Sequence, residues 1–192
     1  MKKMRENILS IFLTSVFMIP TAFSSESAVA EEGGAISYNI GYMSEYWYRG
    51  VHQSDSAVSF GADYEVGGFY LGTWWADVDT GLEHDYYGGY AFSAMGMDMY
   101  AGFTGYYYTD NFDSDYEEFN FGVAMGPIAI DFADGNYDGS SVTDTGYTFT
   151  SVALDLAMVG LPMTLTAGYW GGDSSLKGNV YTLDYGTTVS GV

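Results

Sequence analysis

Along most of this chain, apolar residues alternate one for one with small or polar ones. That period of two demands strands, because helices repeat every 3.6 residues. Ile36, Tyr38, Ile40 and Tyr42 are separated by Ser37, Asn39 and Gly41, and the phase resumes at Tyr46 and Tyr48. Val58, Phe60, Ala62, Tyr64 and Val66 alternate with Ser59, Gly61, Asp63 and Glu65. Phe119, Phe121, Val123 and Met125 do the same with Asn120, Gly122 and Ala124. The pattern predicts ten strands, over 35–49, 57–66, 69–79, 84–94, 97–108, 116–125, 128–137, 146–156, 163–171 and 179–188.

The connections alternate too. Long polar ones (50–56, 80–83, 109–115, 138–145, 172–178) take turns with short ones (67–68, 95–96, 126–127, 159–162). Short turns at one end and loops at the other are the signature of an outer-membrane barrel. Strands of about ten residues also suffice to cross a bilayer at a tilt. Tyr46, Tyr48, Phe69, Tyr70, Phe92, Tyr106, Tyr107, Tyr108 and Trp170 fall near strand ends, where interfacial girdles are expected. The fold expected is therefore all-β: an antiparallel up-and-down transmembrane β-barrel of about ten strands. A secreted β-sandwich shares the alternation but not the girdles and the loop asymmetry.

The N-terminus reads separately. Lys2, Lys3 and Arg5 precede an apolar run over 8–19, too short to span a membrane, and Ala28-Val29-Ala30 offers a small-x-small cleavage site. Residues 1–30 are expected to be a signal peptide cut after Ala30, and 31–192 the barrel, located in the bacterial outer membrane. Past residue 30 only Arg49 and Lys177 stand against 23 acids, a net charge of 2 − 23 = −21. Such a charge excludes nucleic acid as a partner, since phosphate contacts need Lys and Arg. Disorder, the usual fate of acidic chains, is excluded by 19 Tyr, 12 Phe and 4 Trp. No cysteine is present, so neither disulfides nor thiolate metal sites arise.

The segment Tyr48-Arg49-Gly50-Val51-His52-Gln53-Ser54-Asp55, with Phe60-Gly61-Ala62-Asp63-Tyr64 and Gly68-Phe69-Tyr70-Leu71-Gly72-Thr73-Trp74, resembles the N-terminal signature of the TorF porin family. That family is a proteobacterial outer-membrane group. The match is close over 43–79, its R-G-x-x-Q-S-D core being the specific part, and only the strand rhythm continues beyond. The resemblance implies an outer-membrane barrel and a pore, and transfers no catalytic residue. One departure is the C-terminus: such barrels usually end on an aromatic residue, and this chain ends Val189-Ser190-Gly191-Val192.

Lumen-lining candidates follow from the inward phase. Glu45, Asp63, Glu65, Asp77, Asp98, Asp131 and Asp155 are expected to face the interior, and Arg49 to brace the wall within a charge-assisted cluster near Glu45. His52 and His84 lie near Asp55, Asp79 and Asp85, but no G-x-S-x-G motif accompanies them, so no enzyme is expected. The acidic run Asp110, Asp113, Asp115, Glu117 and Glu118 lacks the glycine and spacing of a calcium loop and reads as a solvated loop that weakly holds Mg²⁺ or Ca²⁺ near lipopolysaccharide. No metal or cofactor is expected. The functional expectation is a small passive pore for cations or small polar solutes, partnered by outer-membrane lipid and lipopolysaccharide. Its rival is a non-conducting structural or surface-interaction barrel with a packed lumen, and an outer-membrane hydrolase stands third.

Overall fold

The structure, a computed structural model, describes residues 34–138, 145–173 and 175–186. The expected leader and C-terminal end lie outside them. Ten strands make one antiparallel sheet in the order β1 (Ala35–Met43), β4 (Ala57–Val66), β5 (Phe69–Asp77), β6 (Leu82–Ala94), β7 (Met97–Tyr108), β8 (Asp115–Met125), β9 (Ile128–Asp138), β10 (Thr145–Asp155), β11 (Met163–Gly172) and β12 (Gly178–Tyr185). β2 (Tyr46–Tyr48) and β3 (Val51–Ser54) form a separate two-stranded hairpin between β1 and β4. Every strand of the large sheet pairs with its neighbour along the chain, apart from this insertion. The all-β, antiparallel, up-and-down reading holds, and so do the ten strand positions, the first of them cut short at Met43.

Turn chemistry sets the register. At 126–127, Gly126 has φ 57°, and the proline after it fits the next turn position, as a two-residue hairpin loop requires. Met125 accordingly faces Ile128 across the turn. One expected turn differs: Leu156–Val159 is a single 3-10 turn, opened by the Asp155 carboxylate accepting from the Ala157 N–H at 2.8 Å.

The two faces differ in character. On one face lie Ile36, Ile40, Phe60, Leu71, Phe119, Phe121, Ile130 and Tyr169, with Ile40 84 % and Leu71 64 % exposed. The other face carries the small and polar phase: Ser59, Ala76 and Glu83 are successive cross-strand partners in one row. Aromatic rings lie over this face at glycines. A Cβ on Gly168 would stand 2.5 Å from Phe149 Cζ, so only glycine admits that ring.

The segment over 50–56 is where the sequence reading fails. It was expected to be a loop following a strand that ran unbroken to 49. Instead the chain bends at Ser44-Glu45, forms β2, turns at Arg49-Gly50, returns as β3 and bends again at Asp55-Ser56. Ten strands about 4.8 Å apart would spread over roughly 43 Å if flat. The hairpin nevertheless reaches side chains as far apart as Trp74 on β5, Glu118 on β8, Trp170 on β11 and Val180 on β12, so the sheet curls around it. Its polar face is concave and its apolar face convex.

Candidate functional site

Among the described residues, the buried polar and charged side chains of the large sheet, Glu83, Asp85 and Glu118 among them, lie on the concave face, in which the hairpin is seated. Tyr48 and Val51 are paired across a two-residue turn in which both Arg49 (φ 45°) and Gly50 (φ 79°) are left-handed. A turn of that kind suits Asn-Gly, and an arginine in its first position is strained by the order of 1 kcal/mol. The strain persists because the arginine is anchored. Its Nη1 and Nη2 donate to Glu118 Oε2 and Oε1 at 2.8 and 2.9 Å, with side-chain exposures of 14 % for Arg49 and 0 % for Glu118.

The anchor draws on five elements. Arg49 Cζ stands 4.9 Å from the Tyr48 ring, 4.7 Å from Phe149 on β10 and 5.7 Å from Trp170 on β11. Trp170 Nε1 donates to the Arg49 carbonyl at 2.8 Å. Glu118 accepts further bonds from Tyr106, Tyr147 and Asn120. A carboxylate so satisfied is stable when buried, provided its cation stays. Burial works against the guanidinium charge, and the Glu118 carboxylate more than reverses that, holding Arg49 protonated well above its ordinary range.

Apolar clusters flank this pair on both sides. At the hairpin root Met43, Tyr46, Ala57, Trp74, Ala76 and Val78 pack together. At its tip Tyr147, Phe149, Trp170 and Ala133 do, with Val180 of β12 against them. A Cβ on Gly50 would stand 3.0 Å from Val180, so the tip of a hairpin rooted at β1 and β4 touches the opposite edge strand. The R-G-x-x-Q-S-D core is now accounted for locally. Gln53 accepts the Asp79 N–H at 3.0 Å through its backbone carbonyl, Ser54 Oγ donates to the Ser56 carbonyl at 2.6 Å, and His52 pairs with Asp55 at 3.3 Å.

The predicted lining residues divide. Asp63, Glu65, Asp98 and Asp131 lie on the concave phase. Tyr87 donates to Asp63 at 2.5 Å, Ser93 to Asp98 at 2.5 Å and Tyr100 to Asp131 at 2.8 Å. Asp155 shares that phase but sits at its strand's end, exposed, capping the 3-10 turn. Asp77 does not face inward: Leu82 is its partner, and its carboxylate accepts from the Val58 N–H on the convex side. Glu45 is exposed at the bend and accepts from Trp47 Nε1 at 2.9 Å. The hairpin fold turns it away from Arg49, whose carboxylate is Glu118.

Two further expectations are corrected. Glu118 is no part of a solvated acidic loop but the most enclosed acceptor of the site. Of the nine aromatics assigned to interfacial girdles, Tyr46, Tyr106 and Trp170 are buried inside, Tyr48 and Tyr108 join them there, and Tyr70 faces the same side. Phe69, Phe92 and Tyr107 keep the convex phase. His84 stacks on Trp75 at 4.9 Å on that convex side, away from Asp85. Among the described residues no three His, Cys, Asp or Glu side chains group as a metal centre would require.

Fold and site together define a class: an all-β chain whose single up-and-down antiparallel sheet wraps an internal, arginine-tipped hairpin. Over residues 27–189 the sequence matches the family model described as a bacterial protein of unknown function (Gcw_chp). The chain belongs to that family. Searches of the curated proteins and of the solved structures each gave no match.

Proposed function

We propose that the protein is an outer-membrane β-barrel, exported by its leader, whose lumen is occluded at the loop end by the β2–β3 hairpin and passes small cations only when that hairpin leaves its seat. The seated hairpin carries this reading. A permanently open pore would need a clear interior, whereas Arg49, Tyr46 and Tyr48 pack against side chains from the sheet on every side. Small barrels are in any case easily filled, since eight strands already enclose only room for side chains.

Several features support membrane insertion and closure. The convex face carries an apolar band across the sheet (Ile40, Phe60, Leu71, Phe121, Ile130, Leu165), with its charged residues Asp77, Glu117 and Asp134 toward the loop end, and in lipid only helices and closed barrels satisfy their backbone. The hairpin spans from the β1–β4 edge to Val180 of β12, drawing the two edge strands toward one another. The resemblance of 43–79 to the TorF porins points the same way. Cation preference follows from Asp63, Asp98 and Asp131 on the concave face, where a low-dielectric wall focuses their field.

The packed, non-conducting barrel is the second reading, and the same hairpin favours it. Planar-bilayer recording of the wild type and of Arg49→Ala separates the two. Under the gated reading the wild type is nearly silent, and R49A, checked for its folded mobility on a detergent gel, opens with a reversal potential of cation sign. Silence in both would establish the packed barrel, and an open wild-type channel would overturn the plug.

A further inference from the structure

Beneath the root of the hairpin lie two more buried carboxylates. Glu83 and Asp85 occupy alternate positions of β6, so both side chains point to the concave face, and they are 1 % and 3 % exposed. Across the strands, Ala76 and Tyr108 flank Glu83, and Trp74 and Tyr106 flank Asp85. Tyr46 of the hairpin donates to Glu83 Oε1 at 2.8 Å. Asp85 Oδ1 is buried without a hydrogen-bond partner.

The charge of this pocket sets it apart. Both terminal nitrogens of Arg49 are engaged by Glu118, and Lys177 is exposed in the loop before β12. Among the described residues no salt bridge reaches Asp85. Two enclosed carboxylates on one face of a strand repel each other, and a buried carboxylate is costly to keep ionised without a counter-charge. The surrounding tyrosine hydroxyls can donate hydrogen bonds but carry no positive charge.

We propose that Glu83 and Asp85 bind one divalent, oxygen-seeking cation at the root of the hairpin. A 2+ ion balances the pair, and the unsatisfied Asp85 oxygen is the ligand atom in waiting. Calcium accepts irregular sets of carboxylate, hydroxyl and water oxygens, so two carboxylates with tyrosine hydroxyls and water suffice for a site of modest affinity. Two carboxylates fall short of the three-residue group of a tight metal centre, which accords with weak, exchangeable binding. Because Tyr46 belongs to β2 and bonds Glu83, the ion would fasten the hairpin's root to the wall as Glu118 fastens its tip. The inference does not depend on whether the lumen conducts.

Terbium luminescence on the refolded full chain in detergent tests it. Trp74, the cross-strand partner of Asp85, lies where it can sensitise a bound Tb³⁺. The wild type should show a saturable component that Ca²⁺ displaces, and Asp85→Asn and Glu83→Gln should each abolish it. Asp173→Asn, at an exposed loop, should leave it intact and so account for ions held loosely by the acidic surface. Ca²⁺ should also raise the melting temperature of the wild type but not of D85N. Equal luminescence in wild type and D85N would overturn the proposal. So would a melting temperature insensitive to Ca²⁺ but raised by acidification and lost as a pH effect in D85N, because a proton would then be the occupant.

Discussion

Arg49 and Glu118 stand 69 residues apart in the chain and meet as a bidentate pair at 2.8 and 2.9 Å inside the curl of the sheet. One belongs to a strained turn, the other to the wall. Each is the reason the other can be buried.

Removing the cation should therefore cost more than the bond itself. Arg49→Ala leaves Glu118 ionised and enclosed, and we expect a loss of about 3–5 kcal/mol of stability, the range for a broken buried pair. Urea unfolding in detergent, followed by tryptophan fluorescence, measures it. Arg49→Lys should recover only part, because an ammonium cannot make the forked contact or stack between Phe149 and Trp170. Full recovery in the lysine variant would mean that charge alone holds the tip.

A double replacement should behave differently from either single one. Arg49→Met combined with Glu118→Leu removes both charges and keeps apolar volume among Tyr147, Phe149 and Trp170. It should be more stable than Arg49→Met or Glu118→Leu alone, with a coupling energy of about 2 kcal/mol or more in the cycle. Additive losses would refute the pairing.

The turn itself is sensitive at Gly50. Its φ is 79°, and a Cβ there would stand only 3.0 Å from Val180, so Gly50→Ala combines backbone strain with a clash at the opposite edge strand. We expect a cost of at least about 1 kcal/mol and, on the gated reading, more frequent channel openings. Stability equal to the wild type would show that the tip is not held against β12.

Asp63 and Asp77 make a matched pair of tests for the selectivity field. Asp63 faces the concave side under Tyr87, and Asp77 faces the convex side at a strand end. In an R49A background, Asp63→Asn should weaken cation selectivity and Asp77→Asn should leave it unchanged. Selectivity should also fade as salt rises and the Debye length falls to about 3 Å at 1 M. Equal effects of the two substitutions would remove the lumen from the explanation.

A closed sheet has no free edge for detergent to attack. On the proposed closure, unboiled and boiled protein should run at different positions on a detergent gel. Identical migration would argue for an open sheet.

The wall of the fold was legible because strand alternation and turn residues agree along it: Gly126-Pro127 ends β8 as plainly as Met125 and Ile128 mark its flanking phase. The hairpin was not legible. Tyr46 and Tyr48 continue the phase of Ile36–Tyr42, so period two alone assigns them to the outer face, and only the bend at Ser44-Glu45 reverses them. Glu118 could have been found. It alternates with Phe119 and Phe121 and shares the phase of Asn120 and Gly122, which points it inward, but the neighbouring acids made it look like part of a loop. Glu83 was hidden by a strand start placed at 84, two residues later than the observed Leu82, whereas Asp85 lay within the expected strand, in phase with Tyr87, and was read only as a neighbour of His84.

The seat of Arg49 is assembled from β7, β8, β10 and β11, all of which follow the hairpin in the chain. A hairpin written near the beginning of the sequence thus finds its place only after nearly the whole sheet exists. Its docking is a statement about completeness: a chain stopped before Glu118 has no counter-charge for Arg49, and one stopped before Trp170 lacks the ring that closes the seat and holds the Arg49 carbonyl.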